Sequence, residues 1–268
     1  MNDTTDEIVL EHTELAYMLD QLGATALIGV PRAELFPADP AERRRRLREG
    51  EDSLLRRGLL LAGANGLHVL DISVTALVNA VAYADVTTML VRSLAGLGSQ
   101  LFLLYQSGEI VVEHTLPREG VHRLELLPSH ISATDRLMEL LPVTSGMREP
   151  TRYEIAQDAF FEVRRQVISH QYAVAETTLR ASGFPQQQLD MLLAALSRPD
   201  LSGNIAFLRR NRDEITDARN LLLVKHDGVT WAIRQRRPGE TVLSIEAITP
   251  GYVRMELQRY REELAVPA

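Results

Sequence analysis

Seven histidines are the side chains in this sequence best suited to bind a metal ion or transfer a proton. Histidine metal sites commonly use the patterns H-x-H, H-x3-H or HExxH, because these spacings direct two rings to one ion. None of these patterns occurs in the chain. His114, His122 and His130 are eight residues apart, but we predict that they lie on a strand end, in a loop and at a helix start. The sequence therefore predicts scattered histidines, at the surface or half buried, and no metal site.

The motifs that organise nucleophilic catalysis or phosphate binding are also absent. The chain has no GxSxG, no GxxxxGK[ST] and no GxGxxG. It has no cysteine that could act as a thiolate nucleophile or a zinc ligand. Carboxylate groups such as Glu7, Glu11 and Glu14 have the spacing of a solvated helix face. We therefore expect no catalytic residue, no cofactor and no small-molecule substrate.

Two groups of arginines are candidates for contacts with an acidic partner. Arg43–Arg46 lie close to Glu42 and Glu49, which can pair with them at i,i+3 and i,i+4 spacing, as on an exposed helix face. The second group consists of Arg234, Arg236 and Arg237, and it can receive an acidic partner or form a solvated loop. A nucleic-acid-binding regulator that uses these arginines is the alternative function. The net charge of −7 and the aromatic content of 5% argue against nucleic acid as the partner.

The overall composition is that of a globular protein, with 45% hydrophobic and 24% charged residues among 268. The segment Met1–Glu14 has no basic residue, so no secretory signal is predicted. The most apolar segment, Leu59–Leu90, is interrupted by polar residues such as Asp71 and Asp85, so we expect no membrane insertion. A cytoplasmic location follows from these expectations.

The spacing of apolar residues predicts an alternation of helices and strands. The predicted helices are Leu10–Leu22, Pro40–Arg57 with Asp39 as N-cap, one or two helices within Leu70–Leu94, Pro128–Leu141, Tyr153–Ala181, Gln186–Leu196 and Pro250–Leu264. In the helix Tyr153–Ala181, Phe161, Ile168 and Tyr172 widen the apolar stripe. The predicted strands are Leu101–Tyr105, Ile110–His114, Val121–Leu127, Leu221–Val224, Val229–Ile233 and Val242–Ile248. Arg209–Arg219 is predicted to be a charged loop.

The two halves of the chain share an order of elements. LFLLYQSGEIVVEH at 101–114 aligns with LLLVKHDGVTWAIR at 221–234, and both contain a hairpin turn, with Gly108 matching Gly228. A third strand and a helix follow in each half, at an offset of about 120 residues. We predict an α+β fold with a central antiparallel sheet, helices at its side and ends, and two pseudo-twofold related halves. The predicted organisation is one domain of similar halves, approximately 1–145 and 151–268, with a linker at 142–150.

Several segments resemble the EspG-like family, the cytosolic chaperones associated with type VII (ESX) secretion. These segments are EHTELAYMLDQLG near the start, EGEDSLLRRGLL at 49–60, LELLPSHISATDRLMELLPV at 124–143, LSGNIAF at 201–207 and VLSIEAITPGYVRMELQRYREEL at the end. Their order and spacing cover almost the whole chain. The charged segment Arg209–Arg219 departs from the family, which tends to have a glycine- and arginine-rich strand there. The resemblance implies a non-catalytic chaperone or adaptor that binds helical secreted client proteins in the cytosol.

In the resembling family the client is held against the sheet and the C-terminal helices, through apolar contacts surrounded by polar ones. The resemblance therefore implies a partner site at the second hairpin and the last helix, formed by Trp231, Ile233, Arg234, Arg236, Tyr252 and Tyr260. Strand alternation places Trp231 and Arg234 on opposite faces of one strand. We expect only one of these faces to be core. Trp231 is therefore either an exposed binding residue or a buried structural one, and the sequence leaves both alternatives open.

Overall fold

The structure is a computed structural model that describes residues 7–62, 68–128, 131–144, 152–211, 214–235, 237 and 239–265. Its helices are α1 His12–Gln21, α2 Arg32–Leu35, α3 Pro40–Arg56, α4 Ile72–Ala82, α5 Ala133–Leu140, α6 Gln157–Ile168, α7 Tyr172–Ala181, α8 Gln186–Ser197 and α9 Pro250–Ala265. Its strands are β1 Glu7–Glu11, β2 Leu60–Ala62, β3 His68–Leu70, β4 Val86–Leu94, β5 Gly98–Ser107, β6 Ile110–Arg118, β7 Val121–Leu126, β8 Arg152–Ala156, β9 Leu201–Asn211, β10 Glu214–His226, β11 Val229–Gln235 and β12 Val242–Ile248.

The described strands form one large antiparallel sheet and a separate pair of short strands, which confirms the α+β fold class. The ten strands of the large sheet have the order β1-β7-β6-β5-β4-β9-β10-β11-β12-β8. From the centre of the sheet outward, one side has the strands β4, β5, β6, β7 and β1, and the other side has β9, β10, β11, β12 and β8. On each side, four consecutive strands are followed by an edge strand from an earlier part of the chain. Such an order is what two related halves would produce. The pseudo-twofold relation itself stays a prediction.

Both predicted hairpins form, with the predicted turn residues. Ser107 pairs with Ile110 in one hairpin, and His226 pairs with Val229 in the other. Asp227 and Gly228 both have positive φ, +47° and +75°, as a tight two-residue turn requires. The predicted start of α3 is also confirmed, because the Asp39 side chain accepts hydrogen bonds from the backbone N–H groups of Ala41 and Glu42.

Two predicted helices are wrong at their N-terminal ends, where an edge strand forms instead. Leu10 lies in β1, which pairs with β7, and helix α1 begins only at His12. Tyr153 lies in β8, which pairs with β12, and α6 begins at Gln157. In both places the helical spacing of apolar residues extends beyond the helix, into residues whose backbone N–H and C=O groups pair with a neighbouring strand. Tertiary pairing therefore outweighs the local periodicity.

Three further expectations are corrected by the structure. The segment Val86–Leu94, predicted as helix, is strand β4, consistent with its β-branched residues. The charged segment Arg209–Arg219, predicted as a loop, belongs mostly to β9 and β10. The long helix predicted from Tyr153 to Ala181 is divided into α6 and α7 at His170, whose φ is +58°. A non-glycine residue with positive φ does not continue a right-handed helix.

By contact density the chain divides into two compact units. The first contains Met1–Met89, Leu101–Ala133 and Leu208–Asp217, and the second contains Leu90–Gln100, Thr134–Phe207 and Ala218–Ala268. The single domain of two similar halves stays a prediction. Of the predicted linker, Pro142–Thr144 is described: Lys225 donates to the Pro142 carbonyl, and Thr230 donates to that of Thr144. The rest of that linker lies outside the described residues.

The core of the first unit lies between helices and one face of its strands. Leu15 and Leu19 of α1 and Val78 of α4 pack with Leu103 and Leu124 of the sheet, and all of these side chains are buried. Helix α3 approaches α1 closely at Gly50, where a Cβ atom would lie 2.1 Å from the Thr13 carbonyl oxygen. Only a glycine permits this distance between the helices.

The core of the second unit covers both faces of β11. On one face Trp231 and Ile233 pack with residues of α6, α7 and α8, such as Phe160, Leu179 and Leu192. The other face carries Thr230, Ala232 and Arg234, whose exposed fractions are 0%, 2% and 7%. The expectation that only one face of this strand is core is therefore wrong.

Candidate partner-binding site

Trp231 lies in the core of the second unit. Its exposed fraction is 0%, and the side chain packs beneath α6, α7 and α8. Ile233, with 4% of its surface exposed, belongs to the same core. Of the two alternatives left open by the sequence, the structure selects the one in which Trp231 is structural. Because the indole is covered, it offers no free surface to a partner.

Arg234 lies on the opposite face of β11, in a buried polar network with α9. Its Nη2 atom donates to the Tyr252 hydroxyl at 2.7 Å, and that hydroxyl donates to Oε2 of Glu246 at 2.5 Å. Ser244 donates to the other carboxylate oxygen of Glu246 at 2.6 Å. Nη1 of Arg234 lies 3.4 Å from Oε2 of Glu256. These contacts fix the guanidinium between two carboxylates.

The electrostatics of this network favour the ionised forms of Arg234 and Glu246. Burial alone would raise the pKa of Glu246, but hydrogen bonds from Ser244 and Tyr252 and the positive charges of Arg234 and Arg152 outweigh burial and lower it. Burial and the hydrogen bond to Glu246 raise the pKa of Tyr252 to about 12. The network therefore keeps its ion pair and a protonated phenol at neutral pH.

A polar cleft of about 420 Å³ opens next to Arg234. It is lined by Arg152 of β8, Arg234 of β11, Arg237 and Glu240 of the following loop, and Arg259 of α9. Tyr260, which the resemblance also assigned to the site, is buried with 2% of its surface exposed, and its ring packs 5.6 Å from that of Phe207. Arg236 lies outside the described residues.

A second cleft, of about 280 Å³, lies along α6. Its apolar wall contains Phe160, Phe161, Leu222, Ile233 and Leu243, and its polar residues include Arg164, Asn204 and Asn220. Ile233 thus lines this cleft although little of its surface is exposed.

Several apolar side chains of α6 and α7 are exposed. Phe161 and Ile168 have exposed fractions of 52% and 73%, and Tyr172 and Val174 have 41% and 50%. The sequence placed Phe161, Ile168 and Tyr172 at the edge of a buried stripe, so their exposure is a correction. Phe161 also lines the second cleft, so among these four side chains it is the one that combines exposure with a concave surface.

The arginines of α3 are paired largely as expected. Arg43 lies 2.7 Å from Asp20, and both Arg45 and Arg46 contact Glu42 at 2.7 Å and 2.9 Å. The pairing with Glu42 has the predicted i,i+3 and i,i+4 spacing. These three guanidinium groups are therefore already engaged by carboxylates.

Three histidines that the sequence predicted to be scattered lie in one row in the first unit, with His114 and His122 buried and His12 half buried. Nδ1 of His12 lies 2.6 Å from Nε2 of His122, and Nδ1 of His122 lies 2.9 Å from Nε2 of His114. Nδ1 of His114 lies 3.4 Å from the hydroxyl of Tyr105. The expectation of scattered histidines is wrong for these three, and His130 lies outside the described residues. Among the described residues, no group of three or more His, Cys, Asp or Glu side chains is placed to hold a metal ion.

Strand register explains why these rings meet. His114 pairs with Leu124 in the ladder of β6 and β7, so His122, two residues from Leu124, lies on the same face. Leu103 pairs with His114, which places Tyr105 on that face too. The pairing of β6 with β7, if predicted in the correct register, would have shown that His114 and His122 are neighbours. The position of His12 could not be predicted in this way, because His12 lies in helix α1 and not in a paired strand.

Within the part of the chain that is described, no helix is long and apolar enough to cross a membrane. No known protein family and no curated protein matches the chain by sequence. Among solved structures, the chain is similar to the Mycobacterium tuberculosis type VII secretion system chaperone EspG5, solved in complex with a PE25–PPE41 dimer. The TM-score is 0.66 at 14% identity, over 94% of this chain and 94% of that chain. This chain therefore has the fold of an EspG-like chaperone.

Proposed function

We propose that this protein is a non-catalytic cytosolic chaperone that binds helical secreted client proteins of a type VII-like secretion system. The observation that carries the proposal is the fold, which is similar over 94% of both chains to a chaperone solved with a PE25–PPE41 dimer. The resemblance of the sequence segments supports the same function. A fold shared over almost the whole of both chains supports a shared mode of action.

The surface that we propose for the client is the exposed side of α6. Phe161, Arg164 and Ile168 are spaced at i, i+3 and i+7, so all three lie on one helix face. All three are exposed, and Phe161 and Arg164 also line the 280 Å³ cleft. An amphipathic client helix can place its apolar residues against Phe161 and Ile168 and an acidic residue against Arg164. The proposed surface therefore differs from the one centred on Trp231.

The test is co-expression of this chain with each PE–PPE-type pair encoded in its source genome, followed by size-exclusion chromatography. We expect at least one pair to elute as a stable complex with the chain. The variant Phe161→Glu should weaken that complex about tenfold or more, because it places a charge in an apolar contact. Its melting temperature should stay close to that of the unmodified chain, since Phe161 is half exposed.

Ile72→Glu is the matched control, because Ile72 is an exposed apolar residue at the start of α4. It introduces the same charge and should leave the complex intact. If no pair forms a complex, the proposed function is wrong. If Ile72→Glu dissociates the complex and Phe161→Glu does not, the function stands and the proposed surface is wrong.

The alternative of a nucleic-acid-binding regulator gains no support from the arginines of α3. Arg43, Arg45 and Arg46 contact carboxylates, as described above. A phosphate backbone would have to compete with these ion pairs. We therefore do not propose nucleic-acid binding by the arginines of α3.

A further inference from the structure

The arginine cleft of the second unit brings together positive side chains from separate elements. Arg152, Arg234, Arg237 and Arg259 line it, and Glu240 is the carboxylate of the lining among the residues that the structure describes. These side chains come from β8, β11, the loop after β11 and α9. Among the described residues, four guanidinium groups therefore surround one cleft of about 420 Å³.

Carboxylates outside the lining hold three of these guanidinium groups in place. Glu246 lies 3.3 Å from Nε of Arg152, and Glu256 lies 2.7 Å from Nη2 of Arg259 and 3.4 Å from Nη1 of Arg234. A guanidinium group has five N–H donors, so one that is held by a carboxylate can still donate to a ligand in the cleft. Because the side chain is already held in place, it loses little conformational freedom when the ligand binds.

Unpaired donors remain in this cluster. Arg234 is 93% buried, since 7% of its surface is exposed, yet its Nε–H has no hydrogen-bond partner in the described structure. The same holds for Nε of Arg259, which lies 3.7 Å from a Glu263 oxygen, too far for a hydrogen bond. A buried donor without a partner is costly. Arg234 and Arg259 both line the cleft, so an acceptor bound there would lie against side chains that still carry such donors.

We propose that this cleft is a binding site for an oxyanion, a carboxylate or phosphate group held by Arg234, Arg237 and Arg259. Guanidinium forks match both groups in geometry and charge. Carboxylates come from an acidic peptide segment and phosphates from a free phosphate or a phosphate ester. The site follows from its own geometry and does not rest on the proposed chaperone function.

The test is isothermal titration calorimetry of the full chain in a buffer without oxyanions. One probe is inorganic phosphate and the other is an acetylated, amidated peptide of three glutamates. We expect saturable binding of at least one probe, with affinity that decreases as salt is added. Binding of phosphate alone identifies a phosphate ligand, and binding of the peptide alone identifies a carboxylate ligand. If both probes bind, the site recognises the chemistry that they share.

Arg237→Gln is the informative variant, because Arg237 is exposed and its hydrogen bond to Glu240 uses the backbone N–H. Removing one charged donor should weaken probe binding about tenfold. Arg44→Gln, at an exposed position of α3, removes the same charge and should leave affinity unchanged. Circular dichroism should show both variants folded. The proposal is overturned if neither probe binds, or if both variants weaken binding equally.

Discussion

Nδ1 of His12 and Nε2 of His122 are 2.6 Å apart and begin a chain of hydrogen bonds with a defined direction. The Tyr105 hydroxyl donates to the Ile28 carbonyl at 2.6 Å, so its oxygen is left to accept from Nδ1 of His114. Each neutral imidazole has one N–H and one acceptor nitrogen. His122 therefore donates to His114, and His12 donates to His122.

This direction leaves Nε2 of His12 as an acceptor nitrogen 3.5 Å from the Glu34 carboxylate. Burial lowers the pKa of His12, and the negative charge of Glu34 acts in the opposite direction without outweighing it. The two inner rings, those of His114 and His122, are more deeply buried than that of His12. Burial, together with neighbouring imidazoles, lowers the pKa of His114 to about 4 and that of His122 to about 3.

The inner histidines predict that acid destabilises the fold. In the unfolded chain both rings take up protons near pH 6.5, whereas in the folded chain they remain neutral until about pH 4 and pH 3. Because the unfolded state binds more protons, stability is complete above pH 6.5 and decreases as pH falls through this window. The loss is roughly 1 kcal/mol per pH unit for each ring. Urea unfolding at pH 7, 6 and 5 measures it.

His122→Gln should reduce this pH dependence, because it removes the ring with the lower folded pKa. His170→Gln is the control, since His170 is exposed between α6 and α7. Equal stability at pH 7 and pH 5 in the unmodified chain would show that the inner rings are not held neutral.

Trp231→Ala should destabilise the second unit by about 3–5 kcal/mol, because it removes a large buried side chain and leaves a cavity. Thermal unfolding measures the loss. Tyr172→Ala, at an aromatic residue that is 41% exposed, should cost much less. A Trp231→Ala variant as stable as the unmodified chain would contradict the core position of the indole.

Tyr252→Phe should destabilise the fold by about 1–3 kcal/mol, because the hydroxyl both accepts from Arg234 and donates to Glu246. The ring itself is retained, so the loss reports the hydrogen bonds. Tyr172→Phe removes an exposed hydroxyl that lies 3.1 Å from Nδ1 of His170, and it should have little effect. Chemical unfolding of both variants compares them, and equal stability would mean that the network contributes nothing.

Gly50→Ala should destabilise the first unit, because the new Cβ atom would lie 2.1 Å from a backbone oxygen of α1. Moving the helices apart costs about 1–3 kcal/mol. Gly251→Ala is the matched control: it lies in α9, where a Cβ atom meets no atom within 4 Å. There, alanine should leave stability unchanged or raise it slightly. A harmless Gly50→Ala would show that α1 and α3 do not approach this closely.

The sequence alone determined the features that depend on neighbouring residues. The turn Asp227-Gly228 requires positive φ, which these residue types tolerate, and the two-residue loop then sets the register of β10 and β11. The cap at Asp39 uses a side chain and the backbone of the same turn. Both were predictable because every group involved lies within a few residues.

Only the tertiary structure decided which surfaces are covered and which distant side chains meet. Strand alternation places Trp231 and Arg234 on opposite faces of β11. Helices α6, α7 and α8 cover the face of Trp231, and α9 contacts Arg234 on the other face. His12 and His122 are separated by 110 residues, and their contact depends on the pairing of β1 with β7. Arg152, Arg237 and Arg259 likewise come together from three separate elements. The local spacing of apolar residues cannot predict these contacts, because they depend on packing and strand pairing between segments that are distant in the sequence.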